Sequence, residues 1–335
     1  MNLNHHQPRV SPILAIGFGI LAVSTASIFI RQAQNDVPSL VIAAYRLTIA
    51  TIVLVPIAFM RHRTELRLRK RWEISLALLS GLFLALHFAA WITSLEYTTV
   101  ASSVVLVSTT PLWVALLSPI TVKEPLTRSI LIGMVLVILG SIVIGLSDSC
   151  TFNSGTLSCP SLHNLVTGEA FLGDLLALVG AWMAAGYVLI GRKLRTQMSL
   201  VPYIFLVYGV AAVILIIIMT LFGYSPWGYP PQAYLWLVLL AIIPQLLGHS
   251  TFNWALGYLP ASLVAITLMG EPIGSTILAI IFLQETPTVT KIFGAILILI
   301  GIYVAARSDM TNKNPDIKKS QSSIHKRDDT PGLFD

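Results

Sequence analysis

Apolar residues run in long blocks along this chain, and polar residues gather between the blocks instead of alternating within them. The blocks fall at about residues 13–30, 38–60, 73–95, 101–122, 128–146, 170–190, 201–222, 232–254, 262–283 and 289–306. Each apolar centre approaches the roughly 20 residues that a helix needs to cross hydrocarbon at about 1.5 Å per residue. Barrel strands would alternate apolar and polar sides over shorter segments, and Ile132–Ile144 has no such alternation. The pattern predicts an all-α polytopic membrane protein with ten transmembrane helices. The first block follows a weakly basic segment and precedes no small-x-small cleavage site, so it reads as a retained helix.

One pattern occurs twice, at Leu95–Val143 and Leu256–Val304. An offset of 161 residues lays Tyr97 on Tyr258, Pro111 on Pro272, Glu124 on Glu285, Gly133 on Gly294 and Gly140 on Gly301. Five ordered landmarks without a gap predict a duplication. Five crossings per copy would insert the second copy upside down, giving two inverted five-helix repeats. Such halves can exchange asymmetric conformations and open alternately to either side. The expected organisation is a cytoplasmic tail at 1–12, a first repeat at 13–146 and an extracytoplasmic connection at 147–169. A second repeat follows at 170–306. Residues 307–335 are polar, lysine-bearing and interrupted by Pro315 and Pro331, which reads as a disordered cytoplasmic tail.

Composition sharpens this reading. The chain is 55% hydrophobic and 11% charged, with a mean hydropathy of +0.80, against roughly 25% charged in ordinary soluble domains. An apolar excess of this size must meet lipid. The net charge of +6 does not indicate nucleic acid, because the cations sit between and after the apolar blocks. With the amino terminus inside and ten crossings, Arg9, Arg61–Arg71, Lys123, Arg128, Arg192, Lys193, Arg195 and Arg307 fall on the cytoplasmic side, as positive-inside asymmetry requires. Both termini are then cytoplasmic, and a bacterial inner membrane fits. Cys150 and Cys159, the only cysteines, share one extracytoplasmic connection, where a local disulfide and two free thiols are both open readings. Nucleotide-binding, dinucleotide, zinc-protease and nucleophile-elbow motifs are absent, so no enzyme activity, metal or cofactor is expected.

Chemistry inside the blocks is sparse. Arg46 lies near the centre of AAYRLTIA, where a charge costs about 2.5–3.5 kcal/mol on translocon scales. It is a candidate for binding a carboxylate, with a structural ion pair as the plainer role. Glu271, in VAITLMGEPIGSTILAI just before Pro272, is a candidate for binding an ammonium group or a proton. Pro272 removes a backbone donor and would distort a continuous helix there; Pro111 is its counterpart in the first copy. His87 and His249 occupy corresponding helices and are candidates for substrate contact or coupling. Trp91, Tyr97, Asn253, Trp254 and Tyr258 are candidate cavity-lining residues, although aromatic residues also anchor ordinary helices at interfaces. Glu124 and Glu285 end their blocks and suit junction capping or ion pairing. The seven-residue Gly133/Gly140 and Gly294/Gly301 spacings suit close helix packing.

The segments YTTVASSVVLVSTTPLWVALLSPITVKE at Tyr97–Glu124 and YLPASLVAITLMGEPIGSTILAIIFLQE at Tyr258–Glu285 resemble the drug/metabolite transporter superfamily, more closely its EamA-like branch. The glycine-bearing helices after them add to the match, which covers roughly residues 13–306. The resemblance implies ten transmembrane helices in two EamA-type halves and secondary transport, often export of amino acids or other metabolites. Lys123 and Gln284 stand where such segments often carry glycine. The expected function is export of a small polar or amphipathic metabolite such as an amino acid, by alternating access. The expected partners are membrane lipid and a small-molecule substrate; proton coupling is compatible with the buried titratable groups, and the oligomeric state is open. A membrane scaffold or lipid-handling protein without solute transport is the alternative.

Overall fold

The computed structural model describes residues 11–121, 128–149, 151–153, 156–158, 168–259, 261, 264, 267–268 and 270–312. Among them, seven helical runs are long and apolar enough to cross a membrane: Leu14–Gln34, Ser39–Arg61, Arg71–Tyr97, Val100–Leu117, Glu169–Arg195, Leu200–Leu221 and Pro231–Ala255. This corrects the expected fold. The chain is an all-α polytopic membrane protein with about seven membrane-length apolar helices, not ten crossings in two inverted five-helix repeats. Among the described residues, three of the ten blocks carry shorter apolar stretches, at Leu131–Ile144, Gly270–Leu283 and Val289–Gly301, the first and third within longer helices whose ends are polar.

The misreading has a physical source, because an apolar run of letters does not reveal where a helix begins within it. We number the helices α1 Pro12–Ser24, α2 Ala26–Gln34, α3 Ser39–Arg61, α4 Arg63–Arg67, α5 Arg71–Tyr97, α6 Val100–Val107, α7 Thr110–Thr121 and α8 Arg128–Ser149. Then come α9 Glu169–Arg195, α10 Leu200–Leu221, α11 Pro231–Leu240, a π-helical segment Ala241–His249, α12 Ser250–Ala255, α13 Gly270–Leu283 and α14 Val289–Asn312. A short antiparallel pair, β1 Thr151–Asn153 and β2 Thr156–Ser158, lies between α8 and α9. Pro111 and Pro272 do not bend continuous helices. Each sits in the first turn of its own helix, α7 or α13, where a missing N–H costs nothing because those donors have no intrahelical acceptor. The fourth block is accordingly broken at Ser108–Thr109.

The main core joins α2, α3, α5, α10 and α11, with Ile42, Leu47, Leu84, Phe88, Tyr203 and Tyr208 fully buried. α9 packs along α5, and α10 packs against both α3 and α5. The glycines read as packing residues do bring backbones together: a β-carbon on Gly294 would lie 3.0 Å from the Gly140 carbonyl oxygen, and one on Gly301 would lie 2.7 Å from that of Gly133. The opposite faces of α8 and α14 carry exposed Ile132, Val135, Leu139, Ile292, Ile296 and Ile300. That apolar exterior belongs against lipid acyl chains.

α5 separates two ends of the bundle by roughly 40 Å, from its 27 residues at about 1.5 Å each. At its Arg71 end the two basic clusters meet: Arg69 Nη1 donates to the Gln197 carbonyl at 3.0 Å, and Lys193 Nζ lies 6.0 Å from the Trp72 ring centre. Glu65 accepts there from the Ser199 amide at 2.8 Å and from the Ser199 hydroxyl. At the Tyr97 end, Arg31 Nη2 donates to Glu285 Oε1 and to the Thr98 carbonyl, each at 3.0 Å. Glu285 Oε2 accepts from the Val100 amide at 2.9 Å, and Lys291 Nζ reaches Thr99 Oγ1 at 3.1 Å.

Candidate functional site

A cavity lies mid-bundle, with an empty volume of about 800 Å³ counting the part open to solvent. Its polar wall is made by His87, Ser108, Thr110, Tyr187, His249, Asn253 and Glu271. α5 contributes His87 and Trp91, while the α6–α7 break exposes Ser108, Thr110 and Pro111. Two helix amino termini therefore face the cavity, that of α7 and that of α13, which begins Gly270-Glu271. Such ends present backbone N–H groups and partial positive charge. The wall also includes Leu256, whose carbonyl accepts from Arg192 at the basic end at 2.7 Å. No wall residue comes from the Arg31–Glu285 cluster.

The wall side chains are held in place from behind. His87 Nδ1 donates to the Gly180 carbonyl at 2.9 Å, and its ring stacks on Trp91 at 5.9 Å between centres. His249 meets Phe88 edge-on at 5.4 Å. Asn253 accepts from the Tyr187 hydroxyl at 2.8 Å and donates to the Tyr208 hydroxyl at 3.2 Å.

Arg46 stands behind this wall, not on it. Its side chain is fully buried, Nε donates to Gln245 Oε1 at 2.7 Å, and its guanidinium carbon lies 4.1 Å over Phe88 and 5.8 Å from Trp91. Nη1 and Nη2 have no hydrogen-bond partner among the described residues, and neither does Trp91 Nε1. Arg46 and Glu271 interact electrostatically across the wall without forming an ion pair.

Of the residues singled out by sequence, His87, Trp91, Pro111, His249, Asn253 and Glu271 line one cavity, and Arg46 backs it. Tyr97 lies at the Arg31–Glu285 end, while Trp254 and Tyr258 pair with each other at 4.8 Å outside the cavity. Pro272 lines a separate lateral groove with Lys291, Ile277 and Ile296. Glu285 pairs with Arg31. Glu124, Cys150 and Cys159 fall outside the described residues. Sequence reasoning missed Tyr187, Ser108 and Gln245. Gln245 had a signal, being a polar residue directly after a proline inside an apolar block; Tyr187 and Ser108 had none, since both types are common in packed helices.

The EamA-like transporter family model matches residues 10–146 and again residues 171–307. An uncharacterised transporter of Archaeoglobus fulgidus is 23% identical over 87% of this chain and 96% of its own length. The pseudopaline exporter CntI of Pseudomonas aeruginosa UCBPP-PA14 is 22% identical over 89% of this chain and 96% of its own. One solved crystal structure superposes with a TM-score of 0.63 at 20% identity, covering 89% of this chain and 98% of the other; that likeness bears on the fold alone.

Proposed function

The chain belongs to the EamA-like transporter family, and on that premise we propose that it exports a small polar or amphipathic metabolite, such as an amino acid, by exposing the mid-bundle cavity alternately to the two sides of the membrane. Family membership makes the protein a membrane transporter of small molecules and not an enzyme. The observation that carries the substrate reading is the pairing of unlike charges that do not neutralise each other directly. Arg46 sits behind the wall with two unpartnered nitrogens, and Glu271 stands on it. A carboxylate about 7 Å from a guanidinium gains about 2 kcal/mol at an effective dielectric of about 20, so Arg46 acts on the cavity without touching its contents. Glu271 is placed to receive an ammonium group or a proton. The α7 amino terminus adds N–H donors on the carboxylate side.

Similarity to a pseudopaline exporter supports the outward direction. The shared end of the two basic clusters supports a cytoplasmic assignment for that end, by positive-inside asymmetry. The cavity then faces the cytoplasm, and the Arg31–Glu285 cluster closes the far side. A bacterial inner membrane is the matching location.

Flux into proteoliposomes tests the reading, using labelled amino acids and amphipathic amines with a proton gradient imposed in each direction. A carrier gives saturable, substrate-dependent flux that falls in correctly inserted Arg46→Ala and Glu271→Gln. Flux that never saturates indicates a channel, and no flux for any compound under either gradient leaves the scaffold or lipid-handling alternative in its place.

A further inference from the structure

The π-helical segment Ala241–His249 does two things at once: it brings Gln245 to Arg46 and His249 to the cavity wall. Pro244 withholds a donor inside this stretch, and a widened turn is one way for a helix to absorb that loss. Gln245 is itself fully buried. The only hydrogen bond that the Arg46 side chain makes among the described residues is to this neutral amide. The faces of Phe88 and Trp91 flank it, and the charged or titratable groups acting on it are Glu271, His87 and His249 on the cavity wall and the fully buried Tyr208 behind it. A glutamate at position 245 would fill nearly the same volume and close a buried ion pair with Arg46. Glutamine holds the guanidinium in place and leaves its charge unspent.

We propose that Gln245 is a specificity-determining residue: by anchoring Arg46 through a neutral amide, it keeps the cavity selective for carboxylate-bearing substrates. The inference rests on the transport reading above and adds to it the origin of the charge preference. A field from a cation with no carboxylate in direct contact favours anions and opposes cations at the spot nearest to it. Cancelling that field with a carboxylate at 245 removes the preference without reshaping the cavity.

The test uses the full chain in proteoliposomes, with the common amino acids as probes, then the amide and the decarboxylated amine of whichever is moved. Wild type is expected to prefer the acid over its amide at least tenfold. Gln245→Glu lowers that ratio at least tenfold, while Gln245→Met, of similar length and no charge, keeps the ratio even where its rate drops. Arg46→Gln removes the charge from the other side of the same contact and loses the preference likewise, which decides the matter if Gln245→Glu does not insert. An unchanged ratio in folded Gln245→Glu, or in Arg46→Gln, overturns the proposal and leaves transport standing. A wild type that moves acid, amide and amine alike also overturns it. A folded wild type that moves no probe at all overturns the transport reading and this inference with it.

Discussion

The two ends of the bundle are both tied across long stretches of sequence, yet by different chemistry. At the Tyr97 end a side-chain ion pair joins Arg31 to Glu285, and the same two groups collect the Thr98 carbonyl and the Val100 amide. At the basic end Glu65 instead grips the backbone of Ser199 at the start of α10, with Arg69 and His62 each 3.5 Å from its carboxylate. The first tie runs between α2, the α5–α6 turn and the residues after α13; α6 starts at that turn and ends at the Ser108 wall of the cavity. The second tie sits beside the α9–α10 junction and involves no cavity residue. An ion pair between side chains can be exchanged for hydration with little backbone change, whereas a helix start capped by a carboxylate cannot be released without fraying the helix. In the transport reading proposed above, the Arg31–Glu285 cluster is therefore the gate, and Glu65 the anchor of the opposite end.

The largest expected effect comes from holding that gate shut. With Cys150 and Cys159 replaced by serine, Arg31→Cys and Glu285→Cys joined by a short bismaleimide should abolish flux, while either single cysteine treated with the reagent keeps most of it. Flux that survives quantitative cross-linking would mean that the two ends do not differ in the way described. Next comes Arg31→Glu, which sets two carboxylates together. Flux is expected to fall by roughly tenfold, a change equal to about 1.4 kcal/mol, because the closed state is lost. The swapped pair Arg31→Glu with Glu285→Arg should recover most of it. Failure of the swap would assign the effect to the lost Val100 and Thr98 contacts instead of the charge pair.

Much of this contrast was hidden from the sequence. The membrane class, the basic clusters and the cavity residues His87, Trp91, His249, Asn253 and Glu271 were legible because charge and polarity are conspicuous in apolar blocks. The helix count was not. Continuous apolar letters concealed the break at Ser108–Thr109, and Pro272 looked like a kink when it is a first-turn residue. Arg46 reads from sequence as a carboxylate-binding candidate or one half of an ion pair; its neighbours in the fold, Gln245 and the Phe88 ring, lie nearly 200 and about 40 residues away in the chain. Glu285 reads from sequence as a junction cap or one half of an ion pair, and only the fold shows that its partner is Arg31.

A smaller effect distinguishes the anchor. Burial pushes the Glu65 carboxyl upward, but the Ser199 hydroxyl and amide, with Arg69 and His62, outweigh it and hold the group below its ordinary value of 4.5. A depressed carboxylate adds stability that is present above the unfolded value and is lost as pH falls through the folded one. Glu65→Gln should cost about 1 kcal/mol near neutrality, discounting charge-assisted hydrogen bonds for partial exposure. The deficit should shrink below about pH 4.5, as read by thermal unfolding in detergent. A deficit that stays constant with pH would mean that the shape of Glu65, not its charge, holds the anchor.

The smallest effect lies next to the gate. Gln284, standing where similar segments often carry glycine, takes φ of 57° and is the one non-glycine residue with positive φ among those described. An unbranched side chain in the left-handed region carries a modest penalty of roughly 1 kcal/mol, offset in part here by the Gln284 Nε2 bond to the Ile281 carbonyl at 3.1 Å. The turn is what aims Glu285 back toward Arg31, so the strain and the gate share one short piece of backbone. Gln284→Gly relieves the strain but loosens the unfolded chain as well, and the net gain is expected at about 0.5 kcal/mol, near the limit of a thermal shift assay. Its value lies in the sign. A stabilised variant with unchanged flux would show that the gate opens by losing the ion pair while the turn keeps its shape, whereas a stabilised variant with slower flux would place the opening motion in the turn itself.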